Sequence, residues 1–236
     1  MSFPTEIHGT FGADKVTYNA EVFPVGTKLV LPDGRAFRFG EAVADTVAGR
    51  LYQSEATTAN WNNENLTVAG AIGDITVTVD VATTPAVDDF KGGFLVNETS
   101  GVTYAIKSNT AADPTVLTLY EPLKEAIPTA DVVSLFKSPY RDVVIKVAAD
   151  ATAPAIGVAA MDADISVVGA FQWFQTYGLC GVLVEDTLVV GDIAVASPVA
   201  DAGAVAAAAD ATNQEVGWVL EIGANTEIGT VFLVID

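Results

Sequence analysis

Apolar and polar positions alternate with a period of two in several short runs. ITVTVDV (75–81) is the clearest, and TVLTLY (115–120) and VVSLF (132–136) add β-branched and aromatic residues. Such runs fit strands with one face buried, and turn-forming clusters separate them at 91–93, 97–101 and 112–114. Upstream, KLVLPDGRAFRFG predicts a hairpin: Leu29–Leu31 and Ala36–Phe39 are strand-like, and Pro32, Asp33 and Gly34 supply the turn. The stretch up to Phe23 carries isolated aromatics without a sustained period and reads as an extended arm. Residues 41–66 are the one place where a short helix is plausible, although Thr and Asn weaken it.

After Ser138, Pro139 and Tyr140 the texture is β again, through DVVIKV, IGVAAM, ISVVGAFQWFQTYG, CGVLVED, TLVVGDIAVA, EVGWVLEIG and TVFLVID. VAAAAD (205–210) reads as a short connector or edge strand, because Gly203, Thr212 and Asn213 bound its alanines. No 20–50-residue period supports a solenoid or propeller. The expected fold is all-β, an antiparallel sandwich or barrel with an extended N-terminal arm and a small inserted β module. Three segments follow: arm and hairpin at 1–60, the small module at 61–140, and a sandwich or barrel domain at 141–236.

Composition turns this outline toward assembly. Half of the 236 residues are hydrophobic and only 17% are charged, below the roughly 25% of ordinary soluble domains, so extra surface is expected to be covered by neighbours. The formal charge of −19 opposes docking on nucleic acid or anionic lipid. Charge is also uneven: 147–236 holds twelve acids and no Lys or Arg, which places much of that segment in water. The opening residues lack the layout of a signal peptide and no run is long and apolar enough for a membrane helix, so synthesis in a cytoplasm is expected.

Catalytic chemistry is hard to find. The single histidine, His8, lies in the arm, and Cys180 reads as a small buried residue. No nucleophile elbow or phosphate-binding glycine pattern occurs. Asp88 with Asp89, Asp162 with Asp164, and Glu185 with Asp186 lack the calcium-loop spacing and read as solvated turn acids. No catalytic residue, cofactor or metal is expected. The candidate partner-facing residues are aromatic: Phe3, Phe11, Tyr18 and Phe23 of the arm, Trp61 in a polar stretch, and Phe171, Trp173, Phe174 and Tyr177 of AFQWFQTYG. Alternation sends Phe171 and Trp173 to one face and Phe174 to the other, so either face could meet a partner or both could be core.

The ordered succession of LPDGRAFRFGEA, GDITVTVD, GGFLVNETSGVTYAI, VSLFKSPYRDVVI, FQWFQTYGLCGVLVED, TLVVGDIAVAS, DAGAV, EVGWVLE and TVFLVID resembles the head decoration, or cement, proteins of tailed bacteriophages. The resemblance spans almost the whole chain, and each pattern alone is only a strand and a turn. It implies a non-enzymatic virion protein on the outer surface of an icosahedral head, with the major capsid protein and further copies of itself, as a homotrimer, for partners. It also implies an arm that adds a strand to a neighbouring subunit. The alternatives are a tail or fibre component and a surface carbohydrate-binding module; a carboxylate-pair hydrolase ranks last.

Overall fold

The computed structural model describes residues 5–56, 59–147, 153–185, 187–197, 202–208, 213–221 and 223–236. The chain is all-β and divides into two compact units, one from 1–56 with 139–236 and one from 57–138. Four strands come first: β1 (Glu6–His8), β2 (Lys28–Val30), β3 (Ala36–Glu41) and β4 (Leu51–Gln53). Six follow in the second unit: β5 (Glu64–Leu66), β6 (Thr76–Asp80), β7 (Phe94–Asn97), β8 (Thr103–Asn109), β9 (Thr115–Leu119) and β10 (Val132–Phe136). The first unit resumes with β11 (Val144–Ile145), β12 (Ala155–Ala159), the single-turn helix α1 (Ile165–Val168) and β13 (Phe171–Leu183). It ends with β14 (Ile193–Ala196), β15 (Val205–Ala207), β16 (Glu215–Glu221) and β17 (Ile228–Val234).

In the second unit the strands close a barrel in the order β10, β5, β6, β9, β8, β7, with β7 returning to β10. Alternation explains the closure: Val77, Val79, Leu95, Tyr104, Ile106, Leu117, Leu119, Val133 and Leu135 all point inward into one core. Trp61 joins that core. Its indole N–H donates to the Thr83 carbonyl at 3.0 Å, and its ring meets Phe90 edge-on with centroids 4.9 Å apart. The chain leaves and re-enters the first unit beside itself, because Tyr52 and Gln53 pair with Ile145 and Val144.

The first unit is one mixed sheet running β1, β2, β3, β13, β17, β16, β14, β15, with β12 joining β13 to β4. A parallel bridge from Val184 to Val205 ties β15 back to the end of β13. This wrap encloses Val182, Val184, Leu188, Ala194, Val205, Val216, Val219, Val231 and Leu233. β13 is the spine, thirteen residues long. Its first half pairs with β3 and its second with β17, and the register shifts between Gln175 and Tyr177.

The predicted hairpin is present as β2 and β3, paired from Lys28–Arg38 to Val30–Ala36. The N-terminal segment differs from a free arm. β1 adds in parallel to β2 of its own chain, and the Tyr18 and Phe23 rings pack on Phe39 at 5.6 and 5.4 Å. No α-helix forms among the described residues of 41–66, where Gly49 takes a left-handed turn (φ 74°) just before β4. A 3-10 turn does form at Ala59–Trp61, and the one α-helical turn among the described residues falls in ISVV, whose β-branched residues read as strand. Asp164 caps it by accepting from the Ser166 N–H at 3.0 Å, and Gly169 ends it at φ 92°.

Candidate functional site

Most of the aromatics singled out from the sequence are covered by their own chain. Phe171 and Trp173 pack with Leu29, Leu31, Phe37 and Phe39, while Phe174 sits on the opposite side of β13 against Tyr52, Ile156 and Ala159. Both faces of the FQWF run are therefore core. Tyr18 and Phe23 are half-buried against the first of these clusters, and Trp61 is buried in the barrel. Phe3 lies outside the described residues. Phe11 stands 65% exposed in a turn, and Tyr177 is 38% exposed.

Tyr177 borders a different surface. Beyond Gly178 the alternation of β13 sends Cys180 and Val182 into the core and Tyr177 and Leu179 outward. The register then extends an apolar row across adjacent strands: Leu179 opposes Phe232, Phe232 opposes Trp218, and Trp218 opposes Ile193. Tyr177 meets Phe232 edge-on at 5.2 Å, and Trp218 lies 5.9 Å from the same ring. Val234, Ile228 and Leu220 extend the face, with Leu179 56%, Trp218 49% and Ile228 61% exposed. Flat apolar rings on an outward sheet face leave water a large surface to wet, the opposite of what a free monomer favours.

A groove of about 490 Å³ opens along one border, lined by Asp33, Gly34, Arg35, Tyr177, Gly178, Leu179 and Phe232. Gly178 makes it possible. At φ 91°, it lets the hairpin turn approach so closely that a Cβ there would lie 3.0 Å from Arg35 Cγ. Arg35 is held by Asp33, donating from Nε at 2.7 Å and from its backbone N–H at 3.1 Å. The side-chain bond from Arg35 keeps the Asp33 carboxyl below its ordinary range. Nearby, Asp236 accepts from Arg38 at 2.5 Å and pairs with Lys28 at 2.9 Å. Burial alone would raise the Asp236 carboxyl, but those two hydrogen bonds and charges together hold it low. β16 also carries acids: Glu215 is exposed, and Glu221 accepts from the Thr230 hydroxyl at 3.0 Å, which places its carboxylate beside the stretch of β17 between Ile228 and Phe232.

Elsewhere the reactive groups are engaged structurally. Burial pushes the Cys180 thiol up to about 12, so little nucleophilic thiolate exists at neutral pH. His8 is exposed, 3.4 Å from Glu6. Asp162 accepts from the Ala48 N–H at 2.7 Å, and Asp89 accepts from the Ala86 N–H and pairs with Lys137 at 3.2 Å. Glu185 accepts from the Ser197 hydroxyl, and Asp186 lies outside the described residues. Among the described residues no three His, Cys, Asp or Glu side chains gather to hold a metal ion, and no helix is long and apolar enough to cross a membrane.

Leu179, Ile193, Trp218, Leu220, Ile228, Phe232 and Val234 were not singled out by sequence reasoning. The signal lies in EVGWVLE and TVFLVID, which are apolar at both parities: Val219 opposite Trp218 and Leu220, Val231 and Leu233 opposite Phe232. A strand apolar on both sides has two faces to cover. No known protein family, curated protein or solved structure matches the chain.

Proposed function

We propose that this chain is a non-enzymatic structural protein that works by packing against other protein subunits, and that it decorates the outside of an icosahedral bacteriophage head. The observation that carries the docking part is the apolar row Leu179, Phe232, Trp218, Ile193, continuous across four hydrogen-bonded strands and open to solvent. Aromatic and aliphatic side chains at the centre of a patch with a polar border are the usual anatomy of a protein interface. The net charge of −19 supports protein partners over nucleic acid or anionic lipid and fits a place outside the shell, away from the genome. The assignment to a phage head rests on the ordered sequence resemblance. Its mechanism is linkage: a ligand that binds only the assembled lattice stabilises that lattice, and many copies multiply the effect.

The test is copy number relative to the main shell protein in purified particles, by quantitative mass spectrometry. A near-equal ratio supports lattice-wide decoration. A few copies per hundred shell subunits would move the protein to a tail or vertex, and absence from particles would overturn the virion reading.

A further inference from the structure

We propose that Asp33 is the chain's site of spontaneous isoaspartate formation, and that Arg35 holds this reaction back in the folded hairpin. The reaction needs only water, so it stands apart from what docks on the sheet face.

Isoaspartate arises when the backbone nitrogen of the next residue attacks the side-chain carboxyl carbon of an aspartate, and a following glycine, with no Cβ to crowd the approach, permits it best. Glycine follows an Asp or an Asn at one place in the chain, Asp33 and Gly34. Both are exposed in the turn between β2 and β3, and a Cβ on Gly34 would meet nothing within 4 Å. The lone pair of the Gly34 nitrogen forms a bond to Asp33 Cγ, while the N–H proton and the Cγ hydroxyl leave as water and a succinimide closes. A second water then adds to a ring carbonyl. Addition at the Asp33 backbone carbonyl breaks its bond to the Gly34 nitrogen and routes the chain through Cγ, which is isoaspartate. Addition at Cγ restores aspartate, and neither route changes the composition.

The folded turn engages both reacting groups. The Gly34 N–H donates to the Leu31 carbonyl at 3.0 Å, which commits the nucleophilic nitrogen to the backbone. The Asp33 carboxylate accepts from the Arg35 backbone N–H at 3.1 Å and from Arg35 Nε at 2.7 Å. An ionised carboxyl has no hydroxyl to lose, and the bond from Arg35 favours that form. Arg35 is anchored outside the turn. Its guanidinium stands 5.7 Å from the centroid of the Phe37 ring, one nitrogen lies 3.9 Å from the buried Asp14 carboxylate, and its stem crosses Gly178. The turn is closed by the Leu31 N–H donating to the Arg35 carbonyl at 2.9 Å, so conversion at Asp33 would lengthen the backbone inside that loop.

The experiment incubates the full chain at neutral pH, folded and in urea, and locates isoaspartate by electron-transfer mass spectrometry. In urea Asp33 should carry most of it, and folding should slow its formation there at least tenfold. Isoaspartate spread over other aspartates in urea would overturn the site. Equal rates at Asp33 in the folded and unfolded chain would overturn the protection, whatever any variant does. Arg35→Met keeps the stem over Gly178 and removes the fork, so the folded variant, verified by circular-dichroism melts, should form isoaspartate at Asp33 several-fold faster than wild type. That acceleration should fade as pH falls through the lowered Asp33 value, because both carboxyls are then neutral. A folded Arg35→Met chain with the wild-type rate would overturn the role of Arg35, and so would an acceleration that persists unchanged in acid.

Discussion

Two buried tryptophans differ in one respect that a single substitution can expose. Trp61 donates its indole N–H to the Thr83 carbonyl at 3.0 Å, whereas the Trp173 N–H is buried with no acceptor among the described residues. Replacing either with Phe removes two carbon-sized groups and the N–H, a packing loss of about 1.5 kcal/mol at ~0.8 kcal/mol per buried group. At Trp61 a net hydrogen bond of about 1 kcal/mol is lost as well, so Trp61→Phe should cost about 2.5 kcal/mol. At Trp173 the substitution relieves a buried unsatisfied donor, whose penalty is ~1–3 kcal/mol, so Trp173→Phe should fall between about 0.5 kcal/mol destabilising and about 1.5 kcal/mol stabilising. Urea unfolding followed by circular dichroism and by the NMR methyl signals of each core gives both values. Equal destabilisation by the two substitutions would refute the reasoning, because packing alone would then account for both.

Gly217→Ala should strongly destabilise the first unit, since a Cβ there would lie 2.0 Å from the Phe232 carbonyl oxygen, and a melt within a degree of wild type would contradict the β16–β17 register. The Asp236 carboxyl is held below its ordinary value of 3.8, so its contribution is present above about pH 4 and lost as pH falls through the lowered value. Urea midpoints of wild type and Asp236→Asn should therefore differ at pH 7 and converge in acid. Raising the Cys180 thiol from 9.0 to about 12 leaves about a thousandfold less thiolate, so a thiol reagent at pH 8 should label native protein very slowly and urea-unfolded protein fast. Because β4 and β11 pair where the chain leaves and re-enters, replacing 57–138 by a short Gly/Ser link should preserve the first unit's NMR spectrum; an unfolded product would show that the barrel is required.

The local parts of this fold were legible because their causes are local. Pro32, Asp33 and Gly34 between two apolar runs dictate a hairpin, and the alternation in ITVTVDV dictates a half-buried strand. The closure of the barrel was not legible, since β10 pairs with both β5 and β7, and neither pairing leaves a mark in the segments themselves. Nor was the single turn at Ile165–Val168, where Asp164 and Gly169 overrode residues that favour strand. The arm aromatics were visible but not their destination: the Tyr18 N–H donates to the Phe171 carbonyl at 2.8 Å, fastening the segment to the sheet from the same chain.

The site shows why ring density is a poor guide to an interface. FQWF lies on the most enclosed part of β13, where hairpin and arm cover one side and β4 and β12 the other, so its rings stabilise the interior. The outward face draws single residues from separate strands, and only the pairing of Leu179, Phe232, Trp218 and Ile193 makes them contiguous. Those residues lie in the same last third that carries twelve acids and no Lys or Arg. The face is not free of charge, because Glu221 accepts from the Thr230 hydroxyl at 3.0 Å between Ile228 and Phe232 of β17, so a partner that covers the row must pair that carboxylate or leave it in water.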